Sequence, residues 1–269
     1  KQAYTWPDQN ENKVAFLNAR ASHFLSTDRL LAGNIYYRHY TNDNFSSNVN
    51  NDCATASLNP GACTGGFAAG EPQAFNDRSS IDTNSYGTSL QLSLLGDLAG
   101  KKNNFTVGAS ADLGRAHFTQ TSETADFTSD RGTVGSGVTT LQTDVDTTND
   151  YYGLYFTDVY SFSERWHLTL SGRYNRAKIT IRDNTGLDPA LNGDDTYTRF
   201  NPAAGLNFTP SPALTAYVSY SEGMRAPTPI ELTCADPNAP CRLPNNFLAD
   251  PPLPQVQVRP ARQSPADAT

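Results

Sequence analysis

Residues 166–175 read Trp166-His167-Leu168-Thr169-Leu170-Ser171-Gly172-Arg173-Tyr174-Asn175. Every second residue falls into one of two sets. Trp166, Leu168, Leu170, Gly172 and Tyr174 form an apolar set with an aromatic at each end, and His167, Thr169, Ser171, Arg173 and Asn175 form a polar one. A period of two is that of an extended strand whose faces meet different media. The aromatic ends lie eight residues apart. At ~3.3 Å per residue and a tilt near 40° this is roughly 20 Å of height, close to the apolar band of an outer-membrane barrel, about 25 Å tall and flanked by aromatic girdles. Beyond Tyr174 the apolar set turns basic, with Arg176, Lys178 and Arg182.

The same pattern recurs outward from this stretch. Phe200, Pro202, Ala204, Leu206 and Phe208 alternate with Asn201, Ala203, Gly205, Asn207 and Thr209. Leu214, Ala216, Val218 and Tyr220 alternate with Thr215, Tyr217, Ser219 and Ser221. Tyr86, Leu90, Leu92 and Leu94 oppose Gly87, Ser89, Gln91 and Ser93, and Phe105, Val107, Ala109, Ala111 and Leu113 oppose Thr106, Gly108, Ser110, Asp112 and Gly114. Between Tyr152 and Phe162 the alternation is ambiguous, because Asp158 sits in the more apolar set. Eight strands result, over 13–26, 29–44, 81–98, 104–122, 149–162, 166–183, 197–209 and 214–230. The gaps between them alternate. Short ones fall at Thr27-Asp28, 99–103, 163–165 and 210–213; long ones fall at 45–80, 124–148, 184–196 and 231–250. Tight turns at one end and long loops at the other are the habit of outer-membrane barrels, whose long loops are extracellular.

Composition narrows the function classes. Lys and Arg number 20 against 27 Asp and Glu, a net charge of -7, so the chain lacks the basic footprint of a nucleic-acid binder. No run of 18 apolar residues marks a spanning helix, and a barrel strand that alternates carries no such run either. The histidines, at 23, 39, 117 and 167, are scattered. Asp144, Asp146 and Asp150 share one loop but lack the spacing and glycine of a calcium loop. No nucleophile elbow, P-loop or dinucleotide fingerprint occurs. The expectation is no enzyme, no cofactor and no resident metal.

Cys53 and Cys63 fall in one long loop, Cys234 and Cys241 in another. Pairing within each loop leaves no odd cysteine and suits an oxidising compartment; four free thiols are the other reading. Segment 1–12 is polar and has no apolar core of an export signal. A barrel protein needs one, so a longer parent protein is expected. Residues 251–269 hold Pro251, Pro252, Pro254, Pro260 and Pro265 and no aromatic, unlike any barrel strand. The expected organisation is a partial barrel over 1–250 and an atypical Pro-rich tail over 251–269.

A composite motif lies near the end of the barrel. It runs Phe200-Asn201-Pro202-Ala203-Ala204-Gly205-Leu206, then Pro210 and Pro212, then Tyr217-Val218-Ser219-Tyr220-Ser221-Glu222-Gly223, then Arg225-Ala226-Pro227 and Glu231-Leu232. It resembles the barrel of TonB-dependent outer-membrane receptors, with Phe200, Asn201, Pro202, Gly205, Ser221, Gly223, Arg225, Pro227 and Glu231 as the matching positions. Met224 stands where that family usually has an aromatic. The motif covers residues 148–232; the remainder matches in hairpin rhythm.

The resemblance implies an all-β antiparallel transmembrane barrel of about 22 strands with a plugged lumen, of which this chain supplies some eight strands and no plug. It implies uptake of a scarce nutrient such as an iron–siderophore complex, powered by TonB through N-terminal parts not found here. The outer membrane is then the location, and its lipid and lipopolysaccharide are neighbours. His167, Arg173, Asn175, Asn201, Asn207 and Tyr217 become candidates for the lumen face. Tyr86, Phe105, Trp166, Tyr174, Phe200, Phe208 and Tyr220 become candidates for aromatic girdles. Two other readings are a closed eight-stranded barrel with a structural or adhesive role, and a secreted carbohydrate-binding sandwich. The small polar-face residues Ser89, Ser93, Gly108, Ser110 and Gly114 leave a closed eight-stranded interior unfilled.

Overall fold

The computed structural model describes residues 5–50, 72–229 and 232, and the backbone of 256–258. Its strands are β1 (Gln9–Ser26), β2 (Arg29–Val49), β3 (Ala74–Leu98), β4 (Lys101–Phe127), β5 (Thr133–Ser161), β6 (Trp166–Asp183), β7 (Gly193–Ser211) and β8 (Leu214–Ser221). They form one antiparallel sheet in chain order, with β1 and β8 as its edges. A short 3-10 turn, Pro189–Leu191, precedes β7. After β8 the chain makes β9 (Gly223–Arg225), which pairs antiparallel with β10 (Val256–Val258).

The turns follow the expected rhythm. β1–β2, β3–β4, β5–β6 and β7–β8 are joined tightly at one end, at residues 27–28, 99–100, 162–165 and 212–213. Ala99 and Gly100 both have positive φ, 53° and 74°, the mirror-image turn whose twist suits a two-residue hairpin.

At the opposite end the strands run past their expected limits. β2 reaches Val49 and β3 starts at Ala74. Residues 124–148, expected as a loop, are largely strand: β4 continues to Phe127, β5 begins at Thr133, and the turn between them is only 128–132. β7 begins at Gly193, inside the expected loop 184–196. These ends are rich in Ser, Thr, Asn and Asp, so no apolar alternation announces them. Polar cross-strand pairs accompany the backbone ladder there: Asn48 donates to Asp77 (2.7 Å), Ser80 to Asp43 (2.7 Å) and Thr124 to Ser136 (2.9 Å). The last strand is shorter than expected. Pairing with β7 stops at Ser221 and does not continue to 230.

The register separates the faces cleanly. Trp166, Leu168, Leu170 and Tyr174 lie opposite Phe208, Leu206, Ala204 and Phe200, and the row continues through Leu154, Ala109 and Leu90. Leu154 is 63 % exposed, and Leu90, Leu170 and Val218 are exposed as well. Burying one such side chain is worth about 1.5–3 kcal/mol, so a stripe of this size needs an apolar medium. Asp158, on this face, accepts from Asn103 at 2.6 Å at the level of Phe105 and Leu170. The break in alternation is thus met by a side-chain partner on the same face.

The polar face is braced by bonds that skip a strand. Tyr36 on β2 donates to Asp112 on β4 (2.9 Å) over Gly87 on β3. Tyr155 on β5 donates to Gln91 on β3 (3.0 Å) over Gly108 on β4. Arg173 on β6 donates to Ser110 on β4 (2.9 Å) over Gly153 on β5. A Cβ on Gly87 would lie 2.0 Å from the Tyr36 ring, and one on Gly108 would lie 2.5 Å from the Tyr155 ring. The glycines are therefore the slots through which the long side chains reach. Two small clusters of buried side chains also sit on this face, toward its open end: Ala177 and Ile179 under Ala226, and Val145 under Leu191.

The outer end of β6–β7 is tied by charge. Asp194 lies six residues beyond Phe200, outside the apolar stripe. It accepts from Arg182 and from Thr180 (2.9 Å), with Lys178 at 4.0 Å. The Arg182 hydrogen bond above all, then that of Thr180, holds its carboxyl below the ordinary value.

Two outcomes follow for this architecture. Gly87→Val should displace Tyr36, break its bond to Asp112 and cost about 1–3 kcal/mol, while Gly96→Ala, with open space around it, should stay within about 0.5 kcal/mol; urea unfolding in detergent reads both. A carboxyl whose folded pKa is depressed stabilises above its unfolded pKa and ceases to do so as pH falls through the folded one. Amide protection at Ile181 and Gly193, corrected for intrinsic exchange, should accordingly fall below about pH 4 in the wild type, with no such step in Asp194→Asn.

Candidate functional site

The polar face of β5, β6 and β7 carries a recess of about 630 Å³, closed on one side by the chain after β8. The register builds it. Tyr155, Arg173 and Asn201 are cross-strand neighbours, and Asn175 stands opposite Arg199 one step outward. Glu222, Met224 and Arg225 line the closing side.

Arg173 is the organised cation of this site. Its Nε donates to Asn175 Oδ1 at 2.7 Å, its Nη2 bonds Ser110, and its guanidinium stands 5.5 Å from the centre of the Tyr155 ring. Arg199 donates to Glu222 at 2.6 Å, and the two side chains are only 15 % and 21 % exposed. Tyr220 donates to the other oxygen of Glu222. Asn201 Oδ1 and Arg199 Nε are buried and have no partner among the described residues. A native interior rarely leaves such atoms orphaned, so the surface is suited to a polar group that offers one donor and one acceptor.

The six lumen-face candidates all share this face, in two groups. Arg173, Asn175 and Asn201 converge on the recess. His167, Asn207 and Tyr217 form a row of their own, six residues nearer the tight turns, roughly 20 Å away at ~3.3 Å per residue. His167 Nδ1 lies 2.9 Å from Ser161 Oγ. Tyr151, Tyr155, Arg199 and Glu222 belong to the site without having been singled out from the sequence. The alternation Tyr151, Gly153, Tyr155 was the available signal, and Asp158 blurred it.

The motif residues have varied surroundings. Phe200 is exposed on the apolar face. Pro202 accepts from the Glu222 N–H at 2.9 Å. Gly205 stands opposite Ser219, and Ser221 ends β8. Gly223, Arg225 and the buried Pro227 belong to the closing segment. Glu231 and the four cysteines, Cys53, Cys63, Cys234 and Cys241, lie outside the described residues.

On the apolar face, Trp166 stacks on Phe208 with centroids 4.2 Å apart, Phe105 approaches Phe156 at 6.4 Å and Tyr86 approaches Tyr37 at 5.1 Å. Tyr174 pairs across to Phe200, whereas Tyr220 falls opposite Ala204 in the middle of the stripe. The cations beyond the stripe are largely answered within the sheet: Arg115 by Asp150, and Lys178 and Arg182 by Asp194. Asp146 accepts from Asn184 at 3.0 Å and faces His117 at 2.9 Å, contacts that hold its carboxyl low. Asp144 shares both of these partners, Asn184 at 2.9 Å and His117 at 3.8 Å, whereas Asp150 is engaged separately by Arg115.

Similar proteins agree with this architecture. The siderophore receptor PiuA from Acinetobacter baumannii superposes with a TM-score of 0.56 at 16% identity, over 81% of this chain and 32% of that one. The ferric citrate transporter FecA does so with 0.59 at 11%, over 81% and 28%. The ferric-catecholate import receptor Fiu from E. coli K12 gives 0.59 at 10%, over 82% and 34%. The chain spans about a third of the length of these receptors. At such identities the likeness is one of fold. No curated protein matches the chain in sequence. The family model of the TonB-dependent receptor-like β-barrel matches residues 2–255, nearly the whole chain, and the chain belongs to that family.

Proposed function

We propose that this chain is part of the wall of a bacterial outer-membrane receptor that imports a scarce nutrient, an iron–siderophore complex being the best-supported class. The observation that carries the reading is the division of faces: one continuous apolar stripe, and behind it a polar face with a recess at Arg173, Asn175 and Asn201, where Asn201 Oδ1 and the neighbouring Arg199 Nε have no partner among the described residues. The solved neighbours that superpose include siderophore and ferric-citrate receptors. In this reading the polar face is the lumen wall, and Arg173 meets an anionic part of the passing ligand.

The apolar stripe then faces lipid. Phe105, Trp166 and Phe208 mark its inner aromatic band, and Tyr86, Tyr174 and Phe200 serve its outer one, while Tyr220, expected there, lies between the two. Arg176, exposed beyond Tyr174, is the cation best placed for a lipopolysaccharide phosphate, since Lys178 and Arg182 are drawn to Asp194. The hairpin ends at 45–80, 124–148, 184–196 and 231–250 are extracellular, and Cys53–Cys63 and Cys234–Cys241 are disulfides within them. Coupling to TonB runs through a plug supplied by other parts of the receptor. A closed eight-stranded barrel is disfavoured because β1 and β8 are both edges of the sheet. Such edges leave N–H and C=O groups that lipid cannot satisfy, and further strands supply their partners.

Expression of the whole receptor that contains this wall, in a strain stripped of iron receptors, should restore energy-dependent uptake of a ferric siderophore. Arg173→Ala and Asn201→Ala should each weaken binding about tenfold, the worth of one or two lost polar contacts, with His167→Ala near wild type. Uptake that persists without TonB, or equal effects from all three variants, would sink the assignment.

A further inference from the structure

We infer that Glu222–Pro229 is a hinged strap, latched across the polar face by the Glu222–Arg199 ion pair, and that its release opens that face. The inference rests on the fold and not on the import reading.

The departure point has a physical cause. β8 pairs with β7 as far as Ser221 opposite Ala203, although β7 continues outward to Gly193. At the next rung the Glu222 N–H donates to the Pro202 carbonyl at 2.9 Å. Pro202 has no N–H to return the second bond, so the ladder is half-closed where the strand leaves it. The chain then crosses the polar face. Met224 and Ala226 pack with Ala177, Ile179 and Tyr197, and Leu232 joins them. Thr228 and Pro229 reach a second recess that also contains Tyr36, Arg38 and Asp112.

This segment is held along β9 by its pairing with β10, and at its start by an ion pair. Glu222 is gripped on both oxygens, by Arg199 and by Tyr220. The packing beneath is modest, since two of its three buried side chains are alanines. Against it stand three buried polar atoms with no partner among the described residues: Asn149 Oδ1, Arg199 Nε and Asn201 Oδ1. All three belong to residues of the polar face. A cover that leaves polar atoms unpaired forfeits stability that water or a polar ligand would restore. The latched state is thus readily displaced by a molecule that brings hydrogen-bond partners to this face.

Arg225 is exposed, whereas Ala226 and Pro227 after it are buried, and this asymmetry gives a direct test. Trypsin needs an extended, accessible chain on both sides of the bond that it cuts. The whole chain, purified in detergent, is digested briefly, and cleavage after Arg225 is followed by mass spectrometry relative to cleavage after Arg165 in the exposed tight turn. Slow cutting at Arg225 is expected in the wild type. Glu222→Gln and Arg199→Met should each raise the relative rate at least tenfold, and Glu222→Arg combined with Arg199→Glu should return it toward wild type. A heat-modifiability gel establishes which variants are folded, and Glu222→Gln with the charge swap suffices should Arg199→Met not fold. Wild-type cleavage as rapid at Arg225 as at Arg165, rates unmoved by the single variants, or a folded swap cut as fast as they are would each overturn the latch.

Discussion

Everything in this molecule depends on an unbroken antiparallel ladder. Each strand from β2 to β7 bonds to the strand before and after it in the chain. In hydrocarbon no water is present to take up a stray N–H or C=O, so backbone pairing must be complete before any side-chain preference matters. The ladder also fixes which residues share a face, because successive side chains alternate. The recess at Arg173 and Asn201 and the stripe at Trp166 and Phe208 are two readings of one register.

The ladder explains an economy in the polar face. Among the described residues the sheet has no second layer to pack against over most of its area, so little of it is dry core. Stiffness comes from side chains that bridge alternate strands through glycine slots, as Tyr36, Tyr155 and Arg173 do. Each bridge ties three strands with one hydrogen bond, and each is lost if its slot is filled.

What the sequence displayed was whatever a single strand encodes by itself. The stripe from Trp166 to Tyr174, its echo in Phe200–Phe208 and the tight turns follow from period and composition, and they sufficed for the fold and for setting Arg173, Asn175 and Asn201 on one polar face. The outer halves of β4 and β5 were hidden because Ser, Thr, Asn and Asp form strands there without apolar alternation. The end of β8 was hidden for another reason. Tyr217 to Arg225 continues to look like strand, and the residue that stops its pairing, Pro202, lies on the neighbouring strand. Arg199 and Glu222 meet only because of that departure, so no local pattern could have joined them.

The strict chain-order pairing carries a consequence for how such walls change over generations. A strand here contacts its two chain neighbours and almost nothing else. Removing or duplicating one hairpin therefore leaves every other pairing intact and alters only the circumference. The hairpin, about forty residues of up-and-down chain in the case of β1–β2, is thus a unit of inheritance, and pore width in this architecture is a quantity that gene duplication can adjust in whole-number steps.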